Sequence, residues 1–286
     1  MGARPQGLAV RAPAQQQALR RLREGGVTPL PLAYYSVSAD RDFWAEHWGG
    51  HSTGELLETA RSSPLTELIS RALPRDGTVL EAGCGLGQYV VLLRERGWRA
   101  AGVDWAVDAL RMCRRLAPVP LAAMKLEALA IRDASLKAYV SLGVVEHDEA
   151  GPDGILAEAA RVLKPGGVAV VSVPYLNGVR TIGRAWLAHR NRALARRGAT
   201  FYQYAFTRRE LVSALARHGL VTLDAHPYDP ARLLRRFWGQ APGERRTGGA
   251  VAPRRGMLGG AARRVLYTEP ALRLLGHMLL AVARKR

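Results

Sequence analysis

The sequence is poor in cysteine, in lysine, in long apolar runs and, over its last third, in acid. Cys84 and Cys113 are the only cysteines in 286 residues. Two thiols in a chain of this length build neither a disulfide framework nor a cysteine-based zinc site, and they point to a reducing cytoplasm. The opening stretch, M-G-A-R-P-Q-G-L-A-V-R, has no continuous apolar core of the kind a signal peptide needs. Gln6 stands where a myristoylation signal requires Ser or Thr. The most apolar segment, 271–283, is short and interrupted by Arg273 and His277, so it does not read as a membrane span. The expectation is a cytoplasmic protein, at most peripheral at a membrane. With 48% hydrophobic residues the chain can still bury a proper core, and its length suits one elaborated domain.

The shortage of acid is local. Lys+Arg total 42 against 24 Asp+Glu, for a formal net charge of +18. Residues 176–286 hold 22 basic and 5 acidic residues, whereas residues 1–175 hold 20 and 19, close to neutral. Only four of the basic residues are lysines, leaving 38 arginines. A GC-rich coding sequence accounts for Arg over Lys, but not for the missing acids. Two readings stand: a solvated basic surface, or a face for anionic lipid, nucleic acid or an anionic substrate.

Residues 1–50 read as a leader or lid, dense in aromatics around R-D-F-W-A-E-H-W-G-G-H, with His47 and, at its boundary, His51 as weaker candidate bases. Residues 51–286 read as the main domain. Ser63 can cap a helix that opens on Pro64 and runs to about residue 71. Strands are expected at 78–82, 98–104, 118–124, 137–142 and 168–174, with helices at about 86–96, to about Leu116, and at 154–164 before Pro165. The 168–174 run is continuously apolar, as in a strand buried on both faces. Thr207 and Glu210 form a capping-box pattern that ends at Gly219; a sixth strand follows at 221–225 and a seventh at 277–284. Two Arg-rich insertions, about 176–206 and 226–270, interrupt this alternation. The pattern is that of a doubly wound α/β fold with a seven-stranded, mainly parallel sheet.

The turn V-L-E-A-G-C-G-L-G-Q-Y-V, 79–90, follows the first of these strands. In such a sheet ligands sit beyond the carboxyl ends of the strands, where the strand order reverses. Gly83, Gly85 and Gly87 let backbone approach a ligand, and the helix start beyond offers free N–H groups. A dinucleotide fingerprint needs glycine at position 88, which is Gln88, and no G-K-S/T marks a phosphate loop. Asp104 ends the second strand 17 residues after Gly87, where an acid accepts hydrogen bonds from ribose hydroxyls. Glycine turn and ribose acid together indicate an adenosine-type cofactor.

At these residues the chain resembles class I S-adenosylmethionine-dependent methyltransferases, in particular the small-molecule branch that includes the ubiquinone- and menaquinone-pathway enzymes. V-L-E-A-G-C-G-L-G is similar to the family's first motif and G-V-D-W to its second. L-E-A-L-A-I-R-D-A-S-L-K-A-Y-V-S-L-G-V-V-E-H resembles the run through the fourth strand, and L-K-P-G-G-V-A-V-V-S-V-P the entry to the fifth. The resemblance implies a Rossmann-like methyltransferase fold with S-adenosyl-L-methionine as cofactor and no metal. It places Gly83, Gly85 and Gly87 against the methionine part and ribose, Glu81 as the residue ordering the turn, and Asp104 on the ribose hydroxyls. It sets Trp105 beside the adenine, the Leu126 N–H at the adenine edge, and Leu142 and Gly143 facing the sulfonium. The chain departs from the family at Lys125, where an acid is common, and at Leu136 and Lys137, where Phe-Asp is common.

Methyl transfer from a sulfonium is an in-line displacement, so a protein must orient the nucleophile, exclude water and, for a protonated nucleophile, take a proton. His147, in V-V-E-H-D-E, follows the fourth strand and is the candidate base, with a loop-ordering role as its alternative. Glu146 and Asp148 beside it read equally as solvated loop acids or as part of the site. Substrate choice falls to the leader and insertions, where R-T-I-G-R-A-W-L-A-H-R-N-R-A-L-A-R-R and A-R-L-L-R-R-F-W place apolar side chains among arginines, as at a membrane surface or on a core-packed helix. The leading expectation is an enzyme methylating a small or lipid-like metabolite, with possible contact to anionic membrane. The alternatives are an RNA or protein methyltransferase using the basic surface, and a cofactor-binding but inactive partner. No appended RNA-binding module and no N-P-P-Y signature supports the first of these.

Overall fold

A computed structural model describes residues 31–36, 52–230 and 264–286. The elements in chain order are β1 (Leu32–Ser36), α1 (Thr53–Arg61), α2 (Pro64–Ala72), β2 (Thr78–Ala82), α3 (Gln88–Glu95), β3 (Arg99–Asp104), α4 (Val107–Leu116), β4 (Leu121–Ala123) and β5 (Leu136–Leu142). A 3-10 turn (Val145–His147) leads to α5 (Asp153–Val162) and β6 (Leu163–Pro174). Then come α6 (Gly178–Ile182), α7 (Arg184–Arg196), β7 (Thr200–Ala205), α8 (Arg208–Arg217), β8 (Leu220–Tyr228), α9 (Glu269–Leu275) and β9 (Met278–Lys285).

Seven strands form one sheet in the order β4-β3-β2-β5-β6-β9-β8. The strands from β4 to β6 are parallel to their neighbours, and β9 runs antiparallel to both β6 and β8. The chain winds outward from β2 through β3 to β4, then returns to start β5 on the other side of β2. The order therefore reverses between β2 and β5, which opens a crevice at their carboxyl ends. Val79, Ala138, Val140, Val168 and Val170 are buried on one face beneath α1, α2 and α3 through Leu57, Ile69, Val90 and Leu93. Burial of side chains of this size contributes about 1.5–3 kcal/mol each before conformational entropy is charged against it.

Local chemistry sets the element ends. Ser63 Oγ accepts from the Leu65 N–H at 3.3 Å with Pro64 in the first turn, and Thr207 and Glu210 form the reciprocal capping box. The helix expected to reach residue 164 stops at Val162, because Leu163 is drawn into β6 opposite Leu136. The third strand is shorter than expected, 121–123, and the sixth is longer, running to Tyr228 because β9 pairs with all of it. The thiols of Cys84 and Cys113 are free and buried.

Besides the short helix α9, two features have no counterpart in the sequence reading. One is α1, whose buried side carries Thr53, Leu57 and Ala60. The other is a two-stranded antiparallel ribbon of β1 and β7, with Leu32 opposite Ala205 and Ser36 opposite Thr200. Residues 32–36, expected in the leader, are thus a strand, and the first insertion ends in its partner. The remaining leader residues, with His47 and His51, lie outside the described residues, as does the A-R-L-L-R-R-F-W segment, 231–238.

Candidate active site

The chain must turn from Ala82 at the end of β2 to Gln88 at the start of α3. Gly83, Gly85 and Gly87 take φ of 78°, 51° and 69°. A Cβ at Gly83 would fall 2.5 Å from Val144 Cγ2, and one at Gly87 2.5 Å from Cys113 Sγ. Side chains at these two positions are excluded by backbone conformation and by space together. The Gly83 contact also brings the turn against the loop that follows β5.

Asp104, at the end of β3, is 6% exposed. Its Oδ2 accepts from the Gly85 N–H at 2.7 Å and its Oδ1 from the Ala106 N–H at 2.8 Å. Burial pushes its pKa up, and the amide donors, with that of Trp105, pull it back. Each oxygen keeps capacity for a further donor, since an ionised carboxylate offers about four acceptor sites. Asp104 thus fastens the glycine turn to β3 and still has acceptor capacity for a hydroxyl.

Glu81, inside β2, is 3% exposed. Burial raises its pKa to about 8; a hydrogen bond from the Val90 N–H in the first turn of α3 lowers it, and neighbouring Asp104 raises it further. Glu81 Oε2 has no partner among the described residues. A buried unsatisfied carboxylate oxygen costs several kcal/mol when ionised, of order 1–3 or more. Such an oxygen is met either by a proton or by a ligand bearing a donor or positive charge.

The loop after β5 supplies the opposite rim. The Gly143 N–H donates to Ser172 O at 2.9 Å, with φ of 73°. Of the two readings for Glu146 the solvated one does not hold: it is 2% exposed, and burial raises it to about 8. It is buried because Val145 beside it enters the core at 0% exposure and carries the whole 3-10 turn inward. Glu146 Oε2 has no partner among the described residues, and Oε1 lies 4.0 Å from His147 Nε2. His147 Nδ1 is 2.7 Å from the Tyr202 carbonyl on β7. A carbonyl only accepts, so Nδ1 carries the hydrogen and Nε2 of the neutral ring is the basic nitrogen. Asp148 is half-buried and turns back to accept from the Ala150 N–H at 2.8 Å.

Trp105 is 53% exposed beside Asp104, whereas Leu126 is buried at 6%. The Leu126 loop is clamped from α5. Arg161 donates to Leu129 O at 2.9 Å and Ile131 O at 2.8 Å, and Glu158 Oε2 accepts from the Leu129 N–H at 2.7 Å. Lys125 is exposed, and Lys137 pairs with Asp76 at 3.3 Å, a scaffold role for one departure from the family pattern.

The structure therefore brings Glu81, the three glycines and Asp104 into one bonded unit and sets Gly143, Glu146 and His147 against it. Trp105 and Leu126 stand on the two adjacent loops. The sequence reading missed Tyr202, Arg161 and Glu158. An acid and an arginine three apart on a helix were a visible signal for the last two; nothing local marks Tyr202. Among the described residues, no group of three or more His, Cys, Asp or Glu is arranged to hold a metal ion.

Comparison with known proteins bears on this arrangement. Residues 80–171 match the family model described as a methyltransferase domain. Over these residues the chain is similar to methyltransferase domains. A probable S-adenosylmethionine-dependent methyltransferase of Mycolicibacterium smegmatis is 37% identical over 110 residues, 37% of this chain and 41% of that protein. The malonyl-[acyl-carrier protein] O-methyltransferase of Serratia marcescens is 34% identical over 109 residues, 38% of this chain and 42% of that protein. The matched stretch thus spans about two-fifths of these relatives' length. Among solved structures, a geranyl diphosphate C-methyltransferase from Streptomyces coelicolor A3(2) shares the fold, with a TM-score of 0.54 and 16% identity over 96% of this chain and 99% of that one. The matched stretch covers the glycine turn, Asp104, the Leu126 loop and the His147 rim. The residues present suit S-adenosylmethionine: the unpaired Glu81 oxygen accepts a positively charged donor, and the side-chain-free approach at Gly83 and Gly87 admits close backbone contact.

Proposed function

We propose that the protein uses S-adenosylmethionine to methylate a small or lipid-like metabolite, and that its acceptor stands beside the His147 rim, where the β1–β7 ribbon packs on it. The observation that carries this reading is the buried, unpartnered Glu81 oxygen behind a glycine turn that Asp104 fastens to β3. Bound S-adenosylmethionine supplies an electrophilic methyl group on a sulfonium. Asp104 accepts from its ribose hydroxyls, Trp105 covers its adenine, and the Leu126 N–H meets the adenine edge. Glu81 and the N–H groups at the turn hold its amino-acid part.

His147 Nε2 takes the proton that an oxygen or nitrogen nucleophile loses, with the ring held in the correct tautomer by Tyr202 O. Glu146, beside it at 4.0 Å and pushed up to about 8 by burial, stabilises the resulting imidazolium once it is itself ionised. The ribbon offers an aromatic wall. Tyr35 and Phe201 meet edge to face at 6.1 Å, Phe201 and Tyr204 lie 4.8 Å apart, and Tyr202 meets His147 at 5.4 Å. Aromatic bodies with polar tips suit an acceptor with an apolar body and a polar reacting end. This favours the small-molecule branch of the family.

The test is calorimetry with S-adenosylmethionine, followed by transfer of a labelled methyl group to a cell extract separated into lipid, small-molecule, RNA and protein fractions. Binding, with label in the lipid or small-molecule fraction, is expected. Label confined to RNA or protein overturns the acceptor class. Absence of cofactor binding overturns the reading as a whole.

A further inference from the structure

We propose that the outward face of α6 and α7 docks the protein on an anionic lipid bilayer. The two helices are nearly continuous: the Gly183 N–H reaches Val179 O at 3.2 Å and the Leu187 N–H reaches Gly183 O at 2.9 Å, so the i to i−4 ladder crosses the junction. Residues 179, 182, 186 and 190 therefore share one side. On that side Ile182 is 87% exposed, Trp186 64% and Val179 46%. Leu274 of α9, 46% exposed, extends the patch, since a Cβ at Gly178 would lie 2.8 Å from its Cδ1.

The inner side is already partnered. Leu187 and Ala188 pack on Leu32, Leu176 and Ala205, Asn191 is buried, and Arg184 reaches Glu210 at 2.9 Å. The outward apolar residues are thus not the missing half of a core contact. Large side chains left in water this way mark an interaction surface.

Charge selects the occupant. No Asp or Glu occurs from 176 to 209, and Arg190, Arg192, Arg196 and Arg197 are all exposed on α7 or at its end. The Arg190 guanidinium lies 5.7 Å from the Trp186 ring, so charge and aromatic body are presented together. An anionic bilayer takes both components: the headgroups attract the arginines, and the acyl boundary accepts Ile182, Val179 and the Trp186 ring. Nucleic acid would satisfy the arginines and leave Ile182 and Val179 in water. A second copy would set arginine against arginine. These helices leave the carboxyl end of β6, the end of the sheet that bears the candidate active site. Docking by this face holds that end towards the lipid, which accords with a lipid-like acceptor but does not depend on it.

The experiment is co-sedimentation of the full chain, without cofactor, with vesicles of phosphatidylcholine alone and of phosphatidylcholine mixed with phosphatidylglycerol. Binding is expected to the mixed vesicles and not to the neutral ones, and to weaken between about 0.1 M and about 1 M salt. The double variant Ile182→Ser, Trp186→Ser should lose about tenfold or more in partitioning with an unchanged circular dichroism melt, because neither side chain supports the core. Wild-type partitioning by that variant overturns the proposal, as does absence of vesicle binding or binding of the full chain to tRNA but not to vesicles. Calorimetry with S-adenosylmethionine on the same samples reports the cofactor site separately, so failure of docking and failure of the enzymatic reading are distinguishable.

Discussion

The His147 ring is held by the carbonyl of Tyr202, 2.7 Å from Nδ1, across 55 residues of chain. The link joins the loop after β5, inside the stretch that matches the methyltransferase family model, to a ribbon outside that stretch. In the proposed function His147 would act on the proton of the acceptor and not on the cofactor. Replacing His147 by Gln should therefore lower turnover by roughly 10²–10⁴-fold and leave S-adenosylmethionine affinity within a few-fold. A rate–pH profile that loses its ascending limb in the variant marks the base. Unchanged turnover reduces His147 to ordering the loop.

Asp104 fastens the glycine turn and, in the proposed function, accepts from the cofactor; its variants should show both. In Asp104→Asn one carboxylate acceptor becomes an amide donor facing either the Gly85 or the Ala106 N–H. The loss of a buried, charge-assisted acceptor costs about 1–3 kcal/mol of stability. Calorimetry should show cofactor affinity falling together with the melting temperature. A variant that melts lower and binds normally would remove Asp104 from the site.

Gly83→Ala meets a positive φ of 78° and Val144 Cγ2 at 2.5 Å. The strain is about 1–3 kcal/mol, and relieving it pushes the loop before Glu146 and His147 away from the turn. The expected result is a protein that folds, with both cofactor affinity and turnover reduced. The paired variant Gly83→Ala, Val144→Ala should recover part of each.

Ligand-free stability should fall as pH rises. Glu81 and Glu146 both titrate at about 8 in the folded protein against 4.5 for an ordinary glutamate. Between those values the folded state holds protons that the unfolded chain has released, so the unfolded state binds fewer protons and stability declines with pH. The contribution is complete below about pH 4.5 and is lost as pH passes about 8. Thermal melts of wild type and of Glu146→Gln should diverge across that window, with the variant less sensitive. Affinity for a cationic ligand should move in the opposite direction and increase with pH, because the ligand favours the ionised Glu81. Parallel melting curves for the two proteins would contradict the burial argument.

Arg161 tests the loop that carries Leu126. Its guanidinium reaches Leu129 O, Ile131 O, Glu158 and Asp133 without touching the crevice directly. Arg161→Met keeps the apolar stem and removes these bonds. Cofactor affinity should fall about tenfold, through loss of a preorganised loop, while turnover at saturating cofactor is preserved. Hydrogen exchange over residues 126–133 should quicken in step.

The extent to which the molecule was legible in its sequence follows from sequence distance. The unit formed by β2, the glycine turn, β3 and Asp104 is encoded within 27 residues, and each part carries a local signature: a strand run, glycines where φ must be positive, an acid at a strand end. The β1–β7 ribbon has no such signature, because Leu32 and Ala205 define it only as partners and each half alone reads as loop. The burial of Glu146 is illegible in the sequence for a related reason. Asp148 and Glu149 next to it suggest a solvated loop, and only the inward turn at Val145 reverses that. Tyr202 acts through its backbone carbonyl, which no residue type announces.

The position of β9 has a consequence for how the protein is made. Residues 278–285 are translated after every other strand of the sheet, yet they lie between β6 and β8. On the ribosome, β2 to β6 can assemble as they emerge, but β8 has nothing to pair with until β9 arrives. For the time needed to synthesise the intervening residues, the twelve-residue β6 presents an open edge, the type of surface that templates misassembly between nascent chains. Synthesis at about 5–20 residues per second makes that interval a matter of seconds.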